Sequence, residues 1–424
     1  MSNKTRNEII LSFEGQVLNV LGNTITAKMP NVGLHDFCNI EINKDKKVDC
    51  QVIGFSEEKI ILSALGDVSG ISPRSKITAN YSNFFFKMPS DPIGLVLDSS
   101  GRVLNKNYSG THQKLPYFRQ APPALSKMPC ANRVTTGVKA IDAFCPIAEG
   151  QRMVVLAGAG CGKSTLLGML TKFSSADVIV VGLVGERGRE VNHFISENLS
   201  VEGLKKSVLV VSTSSEPALN RQLAAHAATT IAEHYRDQGA NVLLIIDSLT
   251  RFARASREIA ISAGQIPMRQ GWPSSVFNEL ASLIERAGNN HTGSITAFYT
   301  MLASMDGTTD LLAEEVMSIT DGHILLDQKL ADQQIKPALN ILNSLSRLAD
   351  SIQDNNEKSM CQKVKLLLST LEKEKDLVSL GGNPSQLYLS AQKYEPIILD
   401  LLKQLPDQFS NLDETRKLLE ALTH

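Results

Sequence analysis

Long hydrophobic runs are missing from this chain, and that absence is the first constraint on what it can be. No stretch approaches the roughly 18 apolar residues of a membrane-spanning helix. The opening residues, Met1 to Glu8, are polar, and Ile9-Ile10-Leu11 is too short for the apolar part of a secretory leader. The expectation is a cytoplasmic protein. Cysteine is sparse as well: Cys38, Cys50, Cys130, Cys145, Cys161 and Cys361 stand far apart, with no C-x-x-C pair and no histidine at metal-ligand spacing. A zinc site of ordinary spacing and a disulfide scaffold are thereby excluded, which leaves reduced, mostly buried thiols. Neither sign of charge is in excess, since 43 Lys and Arg face 44 Asp and Glu, a formal net charge of −1. A neutral total gives no general affinity for nucleic acid, although it leaves room for a local basic patch. Aromatic residues make up 5% of the chain, with a single tryptophan. Phe84-Phe85-Phe86 has no basic cluster beside it and reads as packing rather than as a base-stacking platform.

What is present is a globular composition, 42% hydrophobic and 21% charged over 424 residues, enough for roughly two to four domains. The chain is organised around Ala157-Gly158-Ala159-Gly160-Cys161-Gly162-Lys163-Ser164-Thr165. An apolar run, Arg152 to Leu156, precedes it as a buried strand, and Leu166 to Leu170 follows as the start of a helix. That is the context of a phosphate-binding loop, G-x-x-x-x-G-K-[ST], with Ala157 relaxing the first glycine. Gly158, Gly160 and Gly162 allow backbone angles that turn successive N–H groups inward, and the helix N-terminus adds positive potential. Ala159, Cys161 and Thr165 complete the cradle. Lys163 is placed to reach the terminal phosphates of a nucleotide, and the Ser164 hydroxyl to complete a Mg²⁺ site. Cys161, between two loop glycines, reads as a gap-filler that a thiol reagent reaches and Mg-nucleotide protects.

In chain order, Ile9 to Leu65 has a period close to two. Gly22-Asn23 joins one pair of short β-rich runs and Ser56-Glu57-Glu58 a second, which suggests a small antiparallel barrel. From Ile71 to about Asn132 the pattern is irregular and proline-rich, and reads as a connection. Five near-continuous apolar runs follow, Met153–Ala157, Val178–Gly185, Ser207–Thr213, Val242–Asp247 and Ser294–Thr300, separated by helical stretches such as Ala218 to Gln238. They mark a parallel sheet buried on both faces, whose ligands gather at the carboxyl ends of its strands. Lys363–Ser379, Leu387–Leu405 and Leu412–Leu422 are helical, with Leu366, Leu367, Leu371 and Leu377 as a core stripe. The expected domains are 1–85, a β-barrel with the start of a linker; 86–350, an α/β nucleotide-binding domain; and 351–424, helical.

Carboxylates and arginines lie where this sheet would present them. Asp247 ends an apolar strand, the place of the acid that holds Mg²⁺ through its water shell. Glu186 follows a second strand and suits the orientation of a water molecule for attack on a γ-phosphate. Arg187 and Arg251 can bring positive charge toward that phosphate. Arg347 lies far along the chain and, on sequence chemistry alone, reads as a surface ion-pair residue, unless subunits form a ring and it serves a neighbour's nucleotide in trans.

These residues resemble a known family. Gly70-Ile71-Ser72-Pro73, Gly94 to Asp98 and Thr136 to Asp142 are similar to the rotary-type ATPases. Four segments narrow the resemblance to the flagellar and type III secretion export ATPases: Glu149 to Met153, Gly185 to Val191, Asp247 to Ala255 and Pro273 to Phe277. The likeness is dense from about Thr136 to Arg347 and thinner on either side. It implies a RecA-like P-loop core between an N-terminal β-barrel and a C-terminal helical domain. It further implies a homohexamer with sites between subunits that hydrolyses ATP with Mg²⁺, releases chaperones and unfolds export substrates at a membrane-embedded gate. A central stalk protein and a peripheral regulator are the implied partners, and nucleic acid is not. By motif match, Lys163 and Ser164 take the phosphate and Mg²⁺ roles, Asp247 the Mg²⁺ acid, Glu186 the water, Arg187 and Arg251 the phosphate charge, and Arg347 the finger from the adjacent subunit. Gly264 to Trp272 is similar to the segment facing the stalk. The chain departs from the pattern at Lys336, where the family usually has an aromatic that packs on adenine. It departs again at Ser214-Ser215-Glu216-Pro217 and at Ser304-Met305-Asp306-Gly307-Thr308.

Three other readings stay open at this level. Non-catalytic ring subunits of rotary enzymes hold nucleotide but usually lack the glutamate present here as Glu186. Hexameric RNA translocases share the pattern from Asp247 to Ala255, but need a basic, aromatic RNA-binding barrel, and Ile9 to Leu65 has few such residues. A proton-coupled synthase subunit would copurify with α-type partners.

Overall fold

The structure is a computed structural model that describes residues 12–80, 85–199, 203–302 and 310–422. Its first unit is a closed barrel of β1 (Ser12–Leu21), β2 (Thr24–Lys28), β3 (Phe37–Glu41), β4 (Lys47–Ser56), β5 (Lys59–Ala64) and β6 (Lys76–Asn80), in the order β1-β2-β5-β4-β3-β6. Alternation fills it: Val17, Ile25, Ile40, Val52, Leu62 and Ile77 are each at most 1% exposed. The Gly22-Asn23 turn joins β1 to β2 with Leu21 opposite Thr24 and Gly22 at φ +57°, as a tight hairpin demands. The barrel closes outside the stretch that reads as barrel in the sequence. β6 lies within the segment expected to be an irregular connection and pairs with both β1 and β3. With only Ile77 and Ala79 pointing inward, β6 carries little pattern of its own, and its partners are distant in sequence.

The same connection contributes to the core. β7 (Phe85–Pro89) and β9 (His112–Pro116) pair antiparallel as a two-stranded sheet, and in the long segment between them β8 (Val96–Leu97) joins the main sheet. Phe86 is fully buried with its ring 5.6 Å from that of Tyr117, so this part of the triple-phenylalanine run packs as expected; Phe84 lies outside the described residues.

After a short antiparallel pair, β10 (Arg133–Val134) and β11 (Ile147–Ala148), the central sheet forms from β12 (Arg152–Ala157), β13 (Val178–Glu186), β14 (Ser207–Thr213), β15 (Asn241–Asp247), β16 (Ser294–Leu302), β17 (Gly322–Leu326) and β18 (Leu345–Ser346). With β8 it has the order β18-β17-β12-β16-β15-β13-β14-β8, parallel except for β18. The five apolar runs are its middle. β17, β8 and β18 escape the sequence reading because they are short, and β17 alternates buried and half-buried residues instead of running apolar throughout.

Each face of the sheet has its own hydrophobic core. Helices Ala218–Asp237, Leu249–Ser262 and Ser274–Ile284 cover one; helix Lys163–Phe173 and the C-terminal helices cover the other. Those C-terminal helices are Asn355–Ser379, Gln386–Leu402 and Leu412–Ala421. The first starts eight residues before Lys363, at a capping box of Asp354 and Glu357. Its buried stripe is Met360, Val364 and Leu367, whereas Leu366 and Leu377 are more than half exposed, so the expected leucine stripe holds in part. Among the described residues no helix is long and apolar enough to cross a membrane.

Candidate active site at the tips of the central strands

Parallel order puts the carboxyl ends of β12, β13, β15 and β16 on one edge of the sheet, and the loop after β12 crosses that edge. Gly160 and Gly162 both adopt φ +86° with open space where a Cβ would stand, so glycine is required there by backbone angle and not by crowding. Gly162 is the residue before helix Lys163–Phe173, which begins with Lys163 and an exposed Ser164; Thr165 is half-buried. Gly158 is buried, while Ala159 and Gly160 face solvent.

Lys163 is the meeting point of the strand tips. Its Nζ lies 2.5 Å from Asp247 Oδ1 and 3.7 Å from Glu186 Oε1. Asp247, 3% exposed, also accepts a hydrogen bond from Thr300 Oγ1 at 2.6 Å. Glu186, 6% exposed, accepts two from Arg251, Nε to Oε1 and Nη2 to Oε2, each 3.1 Å. Arg251 is held in turn by the first turn of helix Leu249–Ser262, capped by the Ser248 hydroxyl. Burial is the main reason that the Glu186 carboxyl is pushed up to about 7, helped by the charge of Asp247 and opposed by Lys163 and Arg251. A carboxylate that titrates near neutrality is suited to take a proton from water.

Other expected residues sit differently. Arg187 is largely exposed and pairs at 2.9 Å with Glu190, the carboxyl group that also hydrogen-bonds Glu186. Arg347, exposed at the end of β18, donates its amide to Asp321 O at 2.9 Å and its guanidinium to Met317 O at 3.2 Å. Cys161 corrects an expectation. It is 2% exposed, its thiol donates to Gln328 Oε1 at 3.2 Å, and burial raises its pKa, so a thiol reagent meets a shielded and protonated group. Ser304 to Thr308 lie outside the described residues.

Two participants went unread in the sequence. Thr300 was the last residue of an apolar run, and strand-tip position was the available signal. Glu190 lies in the first turn of helix Gly188–His193, just after β13, and is hydrogen-bonded to Glu186 at the strand's end, a contact only the fold reveals.

Residues 137–346 match the nucleotide-binding domain of the ATP synthase alpha/beta family. The flagellum-specific ATP synthase of Bacillus subtilis (strain 168) is 39% identical over 416 residues, which span 96% of this chain and 95% of that protein. The chain belongs to the flagellum-specific and type III secretion ATPases. Solved structures of that family superpose along its length. The assembled type III secretion ATPase EscN of enteropathogenic E. coli is 35% identical with a TM-score of 0.91, over 97% of this chain and all of EscN. EscN in complex with its central stalk EscO gives a TM-score of 0.88 at the same identity and coverage, 97% of this chain and 100% of that one. The RecA-like core flanked by barrel and helices, the ATPase activity and the place among export ATPases therefore hold for this chain.

Proposed function

We propose that this ATPase works as a homohexameric ring in which the cluster around Lys163 binds ATP with Mg²⁺ and is completed by Arg347 of the adjacent subunit. What carries the reading is the convergence of three strand tips on one lysine: Asp247, Glu186 and Thr300 stand within two contacts of Lys163 Nζ. The donor set fits Mg²⁺, a hard cation that takes oxygen ligands and keeps several waters. The Ser164 hydroxyl and the Asp247 carboxylate would hold it together with nucleotide phosphates. When bound, Mg²⁺ neutralises charge on the phosphate oxygens. Lys163 and Arg251 add fixed positive charge, Glu186 orients the attacking water and accepts its proton, and burial keeps bulk water away from both carboxylates. Arg187 stands ready on the exposed side for the same phosphates.

Arg347 has no carboxylate partner among the described residues, which suits a guanidinium whose target belongs to another subunit. The exposed Ile266 (79%) and Met268 (72%) in the loop Gly264 to Trp272 suit contact with a central stalk such as the one EscN binds. In this reading the ring works in the cytoplasm against a membrane export gate, with a peripheral regulator and chaperone–substrate complexes as further partners. The test is the ATPase rate against protein concentration for wild type, Glu186→Gln and Arg347→Ala. A superlinear wild-type rate, lost in both variants, is expected; full activity in Arg347→Ala contradicts a shared site.

A further inference from the structure

Residues 85–127 carry six lysines and arginines against two aspartates, in a chain whose formal net charge is −1. The fold gathers three of those cations around one cavity of about 390 Å³: Lys87 from β7, Arg102 from the turn after β8, and Lys106 from the loop before β9. His112, the first residue of β9, and the Asn107 side chain complete the polar wall, and no carboxylate lines it.

The walls are fixed by local bonds. Asp98 closes the turn, its Oδ1 accepting from Ser100 N, Ser100 Oγ and Arg102 N at 2.7 to 3.0 Å. Its Oδ2 accepts from Arg102 Nε at 2.9 Å, which aims the guanidinium and leaves both Nη groups without a bond among the described residues. A Cβ on Gly101 would collide with the Lys87 carbonyl oxygen, so glycine lets this turn lie directly on β7. The Tyr108 hydroxyl donates to Thr111 O at 3.0 Å, and its ring meets that of His112 edge-on at 5.3 Å, which ties the loop to the start of β9. Lys87 and Lys106 are exposed and make no ion pair among the described residues. Lys87 also stands directly opposite Lys114 in the β7–β9 register, a like-charge pair that costs stability until an anion screens it.

We propose that this cavity binds a small, free polyphosphate anion of the diphosphate class, at a second site that shares no residue with the phosphate loop. One carboxylate satisfies one guanidinium. Cations arriving from three segments match linked phosphate groups instead, whose several charged oxygens accept from different directions. The volume lies near the lower end of the range of about 300–1,000 Å³ typical of small-molecule sites, which suits a ligand of that size. A lipid surface finds no apolar anchor, because none of the lining residues is an exposed large hydrophobic side chain.

The experiment is calorimetric titration of inorganic pyrophosphate into the full-length protein at low salt, with ADP saturating so that the phosphate loop is filled. Saturable binding with a Kd below about 1 mM is expected. The double variant Lys87→Gln with Lys106→Gln should weaken it at least about tenfold and leave the basal ATPase rate within about twofold of wild type. Lys163→Ala should change it by less than about threefold. Should the double variant misfold, Lys106→Gln alone decides, with a loss of at least about threefold expected. No saturable binding, or a smaller loss in these lysine variants, overturns the proposal. So does binding that ADP or Lys163→Ala abolishes, since the anion then sits in the phosphate loop. Flotation with phosphatidylglycerol vesicles is measured alongside: vesicle binding lost in the lysine variants, without pyrophosphate binding, assigns the patch to a lipid surface and likewise overturns the proposal.

Discussion

On the β13–β15 side of the phosphate loop, two buried carboxylates are fully partnered: Lys163 and Thr300 around Asp247, and Lys163, Arg251 and Glu190 around Glu186. On the β17 side, the Lys336 ammonium stands in solvent and Arg347 donates only to backbone carbonyls. The contrast follows from where water is excluded. A buried charge is costly unless paired and hydrogen-bonded, so the chemical side needs its full set of partners inside one chain. The other side remains wet, and its charges are available to a ligand or to a neighbouring subunit.

The largest expected effect tests whether the open side serves another subunit. Arg347→Ala should lower the ATPase rate about thousandfold while leaving nucleotide affinity of the dilute protein nearly unchanged. A parallel loss of affinity would place this guanidinium in its own subunit's site and break the contrast. Next, Glu186→Gln keeps the shape of the buried side and removes its base; kcat should fall about 10²- to 10⁴-fold with little change in KM.

Acidity sharpens the same point more gently. Glu186 must be ionised to take a proton, and its carboxyl titrates at about 7, so kcat/KM should fall about tenfold per pH unit below that value and level off above it. An acidic limb in the ordinary carboxylate range would mean that the side chain is far more hydrated than its burial indicates. The smallest effect concerns Cys161, which fills space between the two sides: Cys161→Ala should change kcat/KM by less than about threefold, and maleimide labelling of the folded protein should be slow with or without nucleotide.

Sequence by itself determined the loop, the five central strands and the residues at their tips. Those properties are local: glycine's backbone freedom, a run of Val and Ile, and a charge placed where such a run ends all read without knowledge of partners. The tertiary structure decided what depends on residues distant in the chain. It closed the barrel with β6, placed β17 beside β12, and covered the Cys161 thiol with Gln328. It turned Leu366 and Leu377 outward because the packing face of helix Asn355–Ser379 was set by the sheet beneath it. Above all it paired Arg251 directly with Glu186 and Arg187 with Glu190, a distinction between two arginines that strand-tip position could not make. Pairing and burial are properties of neighbours in space, and short edge strands carry too few residues to announce theirs.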